Sequence, residues 1–206
     1  MFLVAEKIDL IAVAIYANRV ISDHDEVVEG QKRSLPYHLD VSRVTRGLIQ
    51  LERVRVDIGA VVAGAIEQAR PLLEARGHVL AVDQEAAGAA VTGDPNRLVQ
   101  VLVNLLNNAA KYTPPGGRIG LSVSREDRLV RIAVRDNGIG IDAGLLPQVF
   151  DLFTQAERTP DRAQGGLGIG LALVRNIVVL HGGSVSAHSD GPGQGSVFTV
   201  SLDTIA

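Results

Sequence analysis

The sequence predicts an α/β two-layer sandwich, a mixed sheet with helices on one of its faces, and three patterns predict it. Apolar residues recur at helical spacing from Ile58, again from Leu98 and again from Leu171. Val130, Ile132 and Val134 alternate with Arg131, Ala133 and Arg135, which describes a strand with one buried face. Phe198, Val200 and Leu202 repeat that alternation near the end of the chain. Helices and strands that are each apolar on one side bury those sides by stacking in layers.

Taken in order, the chain opens with Met1 to Ile21. Ile8 to Ala17 is apolar except for Asp9, too short to span a bilayer, and lacks the basic start and small-residue cleavage site of a signal peptide. It reads as an amphipathic or buried helix that packs on a partner helix, with a second copy of the chain as one source of it. Asp23 to Gly47 is charged and broken by Pro36. Ile58 to Arg76 is the first helix of the sandwich, with Ile58, Val61, Val62, Ala65, Ile66 and Ala69 facing inward and Gly77 past its end. Pro71 inside it predicts a kink or a break. Val79 to Val82 is a short strand, and Glu85 to Ala90 a loop.

Asp94-Pro95 starts the next helix, with Asp94 as N-cap and Pro95 at the first helical position, where its missing N–H costs nothing. Leu98, Val101, Leu102, Leu105 and Ala109 form its buried stripe. Asn104, Asn108 and Lys111 stand at i, i+4 and i+7 and form a second, polar stripe. Carboxamide oxygens are hard ligands that suit Mg²⁺, and a lysine reaches a phosphate as a point charge. The same spacing also describes a solvated helix face.

Ile119 to Ser124 and Leu129 to Arg135 form a hairpin around Arg125 to Arg128. Asp136 then leads Asn137-Gly138-Ile139-Gly140-Ile141. A carboxylate at a strand end can accept a hydrogen bond from an exocyclic amine, and the glycines allow close backbone approach. Asp-Asn-Gly is equally a turn signal. Gly165, Gly166, Gly168 and Gly170 open directly into the helical stripe Leu171, Val174, Ile177, Val178 and Leu180, which ends at His181-Gly182-Gly183. Bared N–H groups at a helix start make an anion site. The segment before the glycines is a polar loop and not a strand, so this is no dinucleotide fingerprint. Ser184 to Ser189 and Ser196 to Leu202 are the last strands.

These boxes in this order make the chain resemble the ATP-binding domain of sensor histidine kinases, in the GHKL superfamily shared with type II topoisomerases, heat-shock chaperones and mismatch-repair ATPases. The resemblance covers Val56 to Leu202. It implies that Asn108 coordinates Mg²⁺, that Asn104 helps to position metal and phosphate, and that Lys111 contacts phosphate, with Asn104 and Lys111 serving the transfer. It implies Tyr112 near the adenine and Asp136 on the adenine amine, with Gly138, Gly140 and Ile141 shaping that pocket. Gly166, Leu167, Gly168, Ile169, Gly170 and Leu171 resemble the phosphate-binding glycine box, within a lid between Phe153 and Gly170. Phe150 and Phe153 resemble the phenylalanine box. Gly193, Gly195 and Ser196 resemble the last glycine box, with Ser196 where the family often has Thr. The lid wording is most similar to bacterial hybrid kinases.

The resemblance extends weakly into residues 1–50, where Leu39 to Gly47 resembles the end of a dimerisation hairpin. Residues 1–50 are therefore expected to be a helical hairpin that pairs two copies, and residues 51–206 the catalytic domain. The hairpin is shortened around Pro36, and Ala5-Glu6 stands where the family has its phosphoacceptor His and acidic neighbour, so the hairpin reads as degenerate. His24 and His38 lie near the hairpin but outside that motif. His78 precedes a strand, His188 lies on one, and His181 sits at a helix C-terminus, where a cation is favoured. The five histidines have no metal-cluster spacing.

Composition narrows the function classes. The 46% apolar content supports a real core, built from Val, Leu, Ile and Ala because aromatics are only 3%. A net charge of -3 argues against a nucleic-acid binder. Without cysteine there is no disulfide framework, thiolate metal site or thiol nucleophile. The expectation is a cytoplasmic, ATP- and Mg²⁺-dependent histidine kinase core that works with a response regulator or receiver domain, without membrane insertion. The alternative is a nucleotide-gated regulatory module that binds a partner kinase or response regulator. An ATPase clamp of the topoisomerase kind would need a long transducer domain beyond these elements.

Overall fold

Residues 50–86, 88–152, 154 and 168–205 are described by a computed structural model. The expectations for the N-terminal hairpin, including Ala5, Glu6, His24, Pro36 and His38, and for most of the lid, including Phe153, Gly166 and Leu167, lie outside these residues.

β1 (Val54–Asp57) runs straight into α1 (Ile58–Ala75), and Asp57 ends one element and starts the other: its carboxylate accepts from Ala60 N–H at 2.8 Å. Ile58, Val61, Val62, Ala65, Ala69 and Leu73 are buried along one stripe. The helix is not broken at Pro71. Pro71 is exposed, so the carbonyl it leaves unbonded one turn back lies on the side open to water. α1 stops in a Schellman motif. Gly77 takes φ +65° and donates to Glu74 O, while His78 N–H donates to Leu73 O.

β2 (Val79–Gln84) is longer than the predicted strand and pairs in parallel with β4 (Arg118–Glu126). β3 (Ala90–Gly93) leads to α2 (Pro95–Tyr112), whose N-cap Asp94 accepts from Asn96 and Arg97 N–H at 3.0 and 3.1 Å. The stripe of Leu98, Val101, Leu102, Leu105 and Ala109 is buried as predicted. β4 and β5 (Leu129–Asp136) form the predicted hairpin, tightened to the two-residue turn Asp127-Arg128, with Asp127 at φ 52°. A short 3₁₀ turn, Leu146–Gln148, precedes α3 (Gly170–Leu180). α3 ends in a second Schellman motif at Gly182, followed by β6 (Ser184–His188) and β7 (Ser196–Ile205).

The sheet order is β1-β3-β7-β5-β4-β2, with β6 beside β7. All pairs are antiparallel except β2 with β4, so the sheet is mixed. β5 lies along one edge of β7, while β6 and then β3 share the other. Ile119, Leu121, Val123, Val130, Ile132, Val134, Phe198, Val200 and Leu202 form the buried sheet face, and the helical stripes complete the core. The opposite face carries Ser122, Ser124, Arg131, Arg135, Thr199 and Ser201. This is the predicted two-layer sandwich. Strands β1 and β3 are additions to the sequence reading: each has four residues, too few for alternation to register.

His181 departs from the expectation of a helix-end cation. Its Nδ1–H donates to Ile177 O at 2.7 Å and its Nε2 accepts from Asp94 N–H at 2.9 Å. That pairing requires the neutral ring with the proton on Nδ1. The imidazole thereby ties the end of α3 to the cap of α2.

Candidate functional site

Three polar elements converge on one cleft. α2 brings Asn108 and Tyr112, the end of β5 brings Asp136, and the start of β7 brings Ser196. The cleft has a volume of about 500 Å³, within the size range of small-molecule sites. Asp136 and Ser196 are nearly buried, at 7% and 9% exposure. β5 and β7 pair with Asp136 opposite Ser196, and this register, not sequence proximity, joins residues 60 positions apart. Ser196 Oγ–H donates to Asp136 Oδ2 at 2.5 Å, and Gly138 N–H donates to Oδ1 at 2.8 Å. Both carboxylate oxygens are oriented by donors and keep lone pairs for a third.

The loops flanking this pair are interlocked. Gly193 N–H donates to Ile139 O at 2.7 Å and Gly195 N–H to Gly138 O at 3.1 Å. Two glycines are required by space as well as by conformation. A Cβ at Gly140 would lie 2.0 Å from Gly191 O, one at Gly195 2.1 Å from Asp136 O, and both have φ +69°. Ile139 N–H donates to Tyr112 O, so the end of α2 is fastened to the same loop.

Of the predicted residues, Asn108, Tyr112, Asp136, Gly140, Ile141, Leu171 and Ser196 line the cleft. Gly138 lies behind it, against Tyr112 O. Asn104 is buried at 6% exposure, deeper along α2, and a Cβ on Gly170 would lie 3.6 Å from its Oδ1, so the start of α3 sits directly over it. Gly168 has φ 69°, Ile169 is the N-cap of α3, and among the described residues no side chain caps that end. Among the described residues the first N–H groups of α3 thus have no side-chain acceptor, the arrangement that suits an anion. Lys111 does not line the cleft: its Nζ sits 5.1 Å from the Tyr112 ring centroid.

The sequence reading missed Asp142, Leu145, Val149 and Phe198, of which the last three form an apolar wall beside Thr154 of the expected lid. Phe198 meets the predicted Phe150 edge-on, with ring centroids 6.1 Å apart. Its strand alternation announced burial but not a site. The other three lie in an irregular stretch without periodicity.

The site thus has an apolar slot closed by an oriented carboxylate, with a carboxamide and an uncapped helix start at its other polar elements. A flat base with an amino group suits the first, and phosphates suit the second. The donor set also fits Mg²⁺. Among the described residues no three His, Asp or Glu side chains converge, so a metal here would take few protein oxygens and complete its shell with phosphate and water, as Mg²⁺ does.

The chain is similar to known proteins in sequence and in fold. Residues 93–205 match the family described as histidine kinase-, DNA gyrase B-, and HSP90-like ATPase. The sensor protein DivL of Caulobacter vibrioides is 38% identical over 170 residues, 82% of this chain and 21% of its own length. The chain therefore spans about a fifth of that relative. Among solved structures, the mycobacterial sensor histidine kinase MprB superposes with a TM-score of 0.65 at 27% identity, over 74% of this chain and 98% of that one. Full-length ShkA, solved in complex with AMPPNP, gives 0.70 at 29%, over 84% and 36%. The order of the boxes, the sandwich and these matches agree, and the chain belongs to the histidine kinase-, DNA gyrase B-, and HSP90-like ATPase family.

Proposed function

We propose that the cleft binds ATP with Mg²⁺ and that the chain is the kinase core of a two-component signalling protein, transferring the γ-phosphoryl group to a histidine. The observation that carries this reading is the Asp136–Ser196 pair, a doubly oriented buried carboxylate in a slot shared with Asn108. Asp136 accepts the adenine amine, Tyr112 and Phe198 flank the base, and the N–H groups of Gly170 and Leu171 receive phosphate oxygens. Asn108 holds Mg²⁺, Asn104 steadies that region from beneath, and Lys111 swings from Tyr112 to the phosphates. Bound Mg²⁺ supplies neutralisation of charge on the phosphate oxygens. The chain orients ATP so that the bond from γ-phosphorus to its leaving oxygen breaks as one forms to an imidazole nitrogen, releasing ADP. The AMPPNP complex of ShkA, similar over 84% of this chain, supports a nucleotide here.

In this reading residues 1–50 form the dimerising hairpin, and a response regulator or receiver domain takes the phosphoryl group in the cytoplasm. Among the described residues no helix is long and apolar enough to cross a membrane. Ala5-Glu6 in the place of a His-Glu pair favours a second reading, a regulator that binds ATP without phosphorylating itself. Incubation with γ-³²P-ATP and Mg²⁺ separates the two. Acid-labile, base-stable label that is lost in Asn108→Ala and in one of His24→Ala or His38→Ala supports the autokinase. ATP binding without label supports the regulator. No ATP binding at all sinks both.

A further inference from the structure

Ser189 lies outside the cleft lining, yet its hydroxyl is fully engaged at the junction of the two loops that frame Asp136. It donates to Gly195 O at 2.6 Å and accepts from Ile141 N–H at 3.0 Å and from Gly191 N–H at 3.3 Å. A serine hydroxyl has one proton and two lone pairs, so these three bonds fill its capacity, with Gly191 O at 3.4 Å a more distant second acceptor for the same proton. The bonds join opposite sides of the site. Ile141 ends the loop that follows Asp136 and lines the cleft, while Gly195 immediately precedes Ser196, whose hydroxyl orients the carboxylate. Gly195 also leaves no space for adjustment, because even a Cβ there would collide with the Asp136 backbone. A shift of either loop therefore moves Ser196 relative to Asp136.

We infer that Ser189 is a positioning residue for base recognition: it holds the two glycine loops at the separation that keeps the Ser196 hydroxyl on Asp136, and so fixes the direction in which that carboxylate meets a 6-amino purine. The inference rests on the proposed ATP site and adds a residue that touches no ligand. Removal of the hydroxyl leaves Gly195 O and Ile141 N–H without this partner, and the carboxylate gains freedom to rotate. A carboxylate held in place favours a 6-amino group and repels a 6-oxo group, whereas a looser one discriminates less.

The test is titration of the full chain with ATP and with ITP in Mg²⁺, for wild type, Ser189→Val and the near-isosteric Ser189→Thr, with the melting temperature of each nucleotide-free protein. The expected result is a wild-type preference for ATP that falls about 3- to 10-fold in the Val variant, the scale of one hydrogen bond, and returns with Thr. An unchanged ATP-to-ITP ratio in the Val variant, with only a lower melting temperature, would make Ser189 a structural tie and overturn the inference while leaving the ATP site intact. Wild type that binds both nucleotides equally would overturn the adenine reading of Asp136, and the inference with it. If the Val variant does not fold, Ser189→Ala, which removes only the oxygen, decides by the same ratio.

Discussion

Asp136 and Ser196 are the pair on which recognition turns. Each is buried, and the Ser196 hydroxyl donates to one oxygen of Asp136 while Gly138 N–H holds the other. Replacing Asp136 by Asn keeps the shape but substitutes an amide donor for one acceptor, so ATP affinity should fall at least about tenfold, the value of a charged hydrogen bond, with ITP less affected. Calorimetric titration of both nucleotides checks this. Ser196→Ala acts through the same carboxylate. The double variant should therefore lose less than the sum of the single losses, and a double-mutant cycle with strictly additive terms would refute the coupling.

Helix α2 serves the site from one face and the core from the other, and its stability is separable from its chemistry. Leu105 has 0% exposure in the middle of the buried stripe. Leu105→Ala should cost about 2–5 kcal/mol of unfolding free energy through lost transfer energy and a cavity. The Asp94 cap reaches further than its own helix: its carboxylate serves Asn96, Arg97 and Glu52 N–H, and its own N–H reaches His181. Asp94→Ala should cost about 1 kcal/mol by urea denaturation. Because His181 binds the backbone of Asp94, that backbone bond survives the substitution, and α3 should keep its place.

For the molecule as a whole, ligand binding and folding are linked. If Mg²⁺ and ATP occupy the cleft, saturation at 100 times the dissociation constant stabilises the fold by about 2.7 kcal/mol. A thermal shift should appear with Mg²⁺-ATP, shrink when EDTA removes the metal, and largely vanish in Asn108→Ala, whose nucleotide-free melting temperature should stay near wild type because Asn108 is only half-buried. An equal shift with and without metal would exclude Asn108 as its ligand.

Periodicity makes the helices, the β4–β5 hairpin and the apolar faces of β5 and β7 legible in the sequence alone, because burial repeats every 3.6 residues in one case and every two in the other. Capping chemistry locates the start of α2 and the ends of α1 and α3, since Asp, Pro and Gly act on the backbone next to them. Asn108, Asp136, Gly140 and Ser196 are likewise readable as types and order. Their meeting is not, because strand register and the clasp of two loops are long-range choices that leave no local pattern. The same is true of β1 and β3, of the neutral His181 bridging two helices, of Ser189, and of the apolar wall at Leu145 and Val149. Local sequence states what a segment can bury or bond within a few residues. The partner across the sheet is chosen by the fold that buries the most apolar surface while leaving the fewest polar groups unbonded.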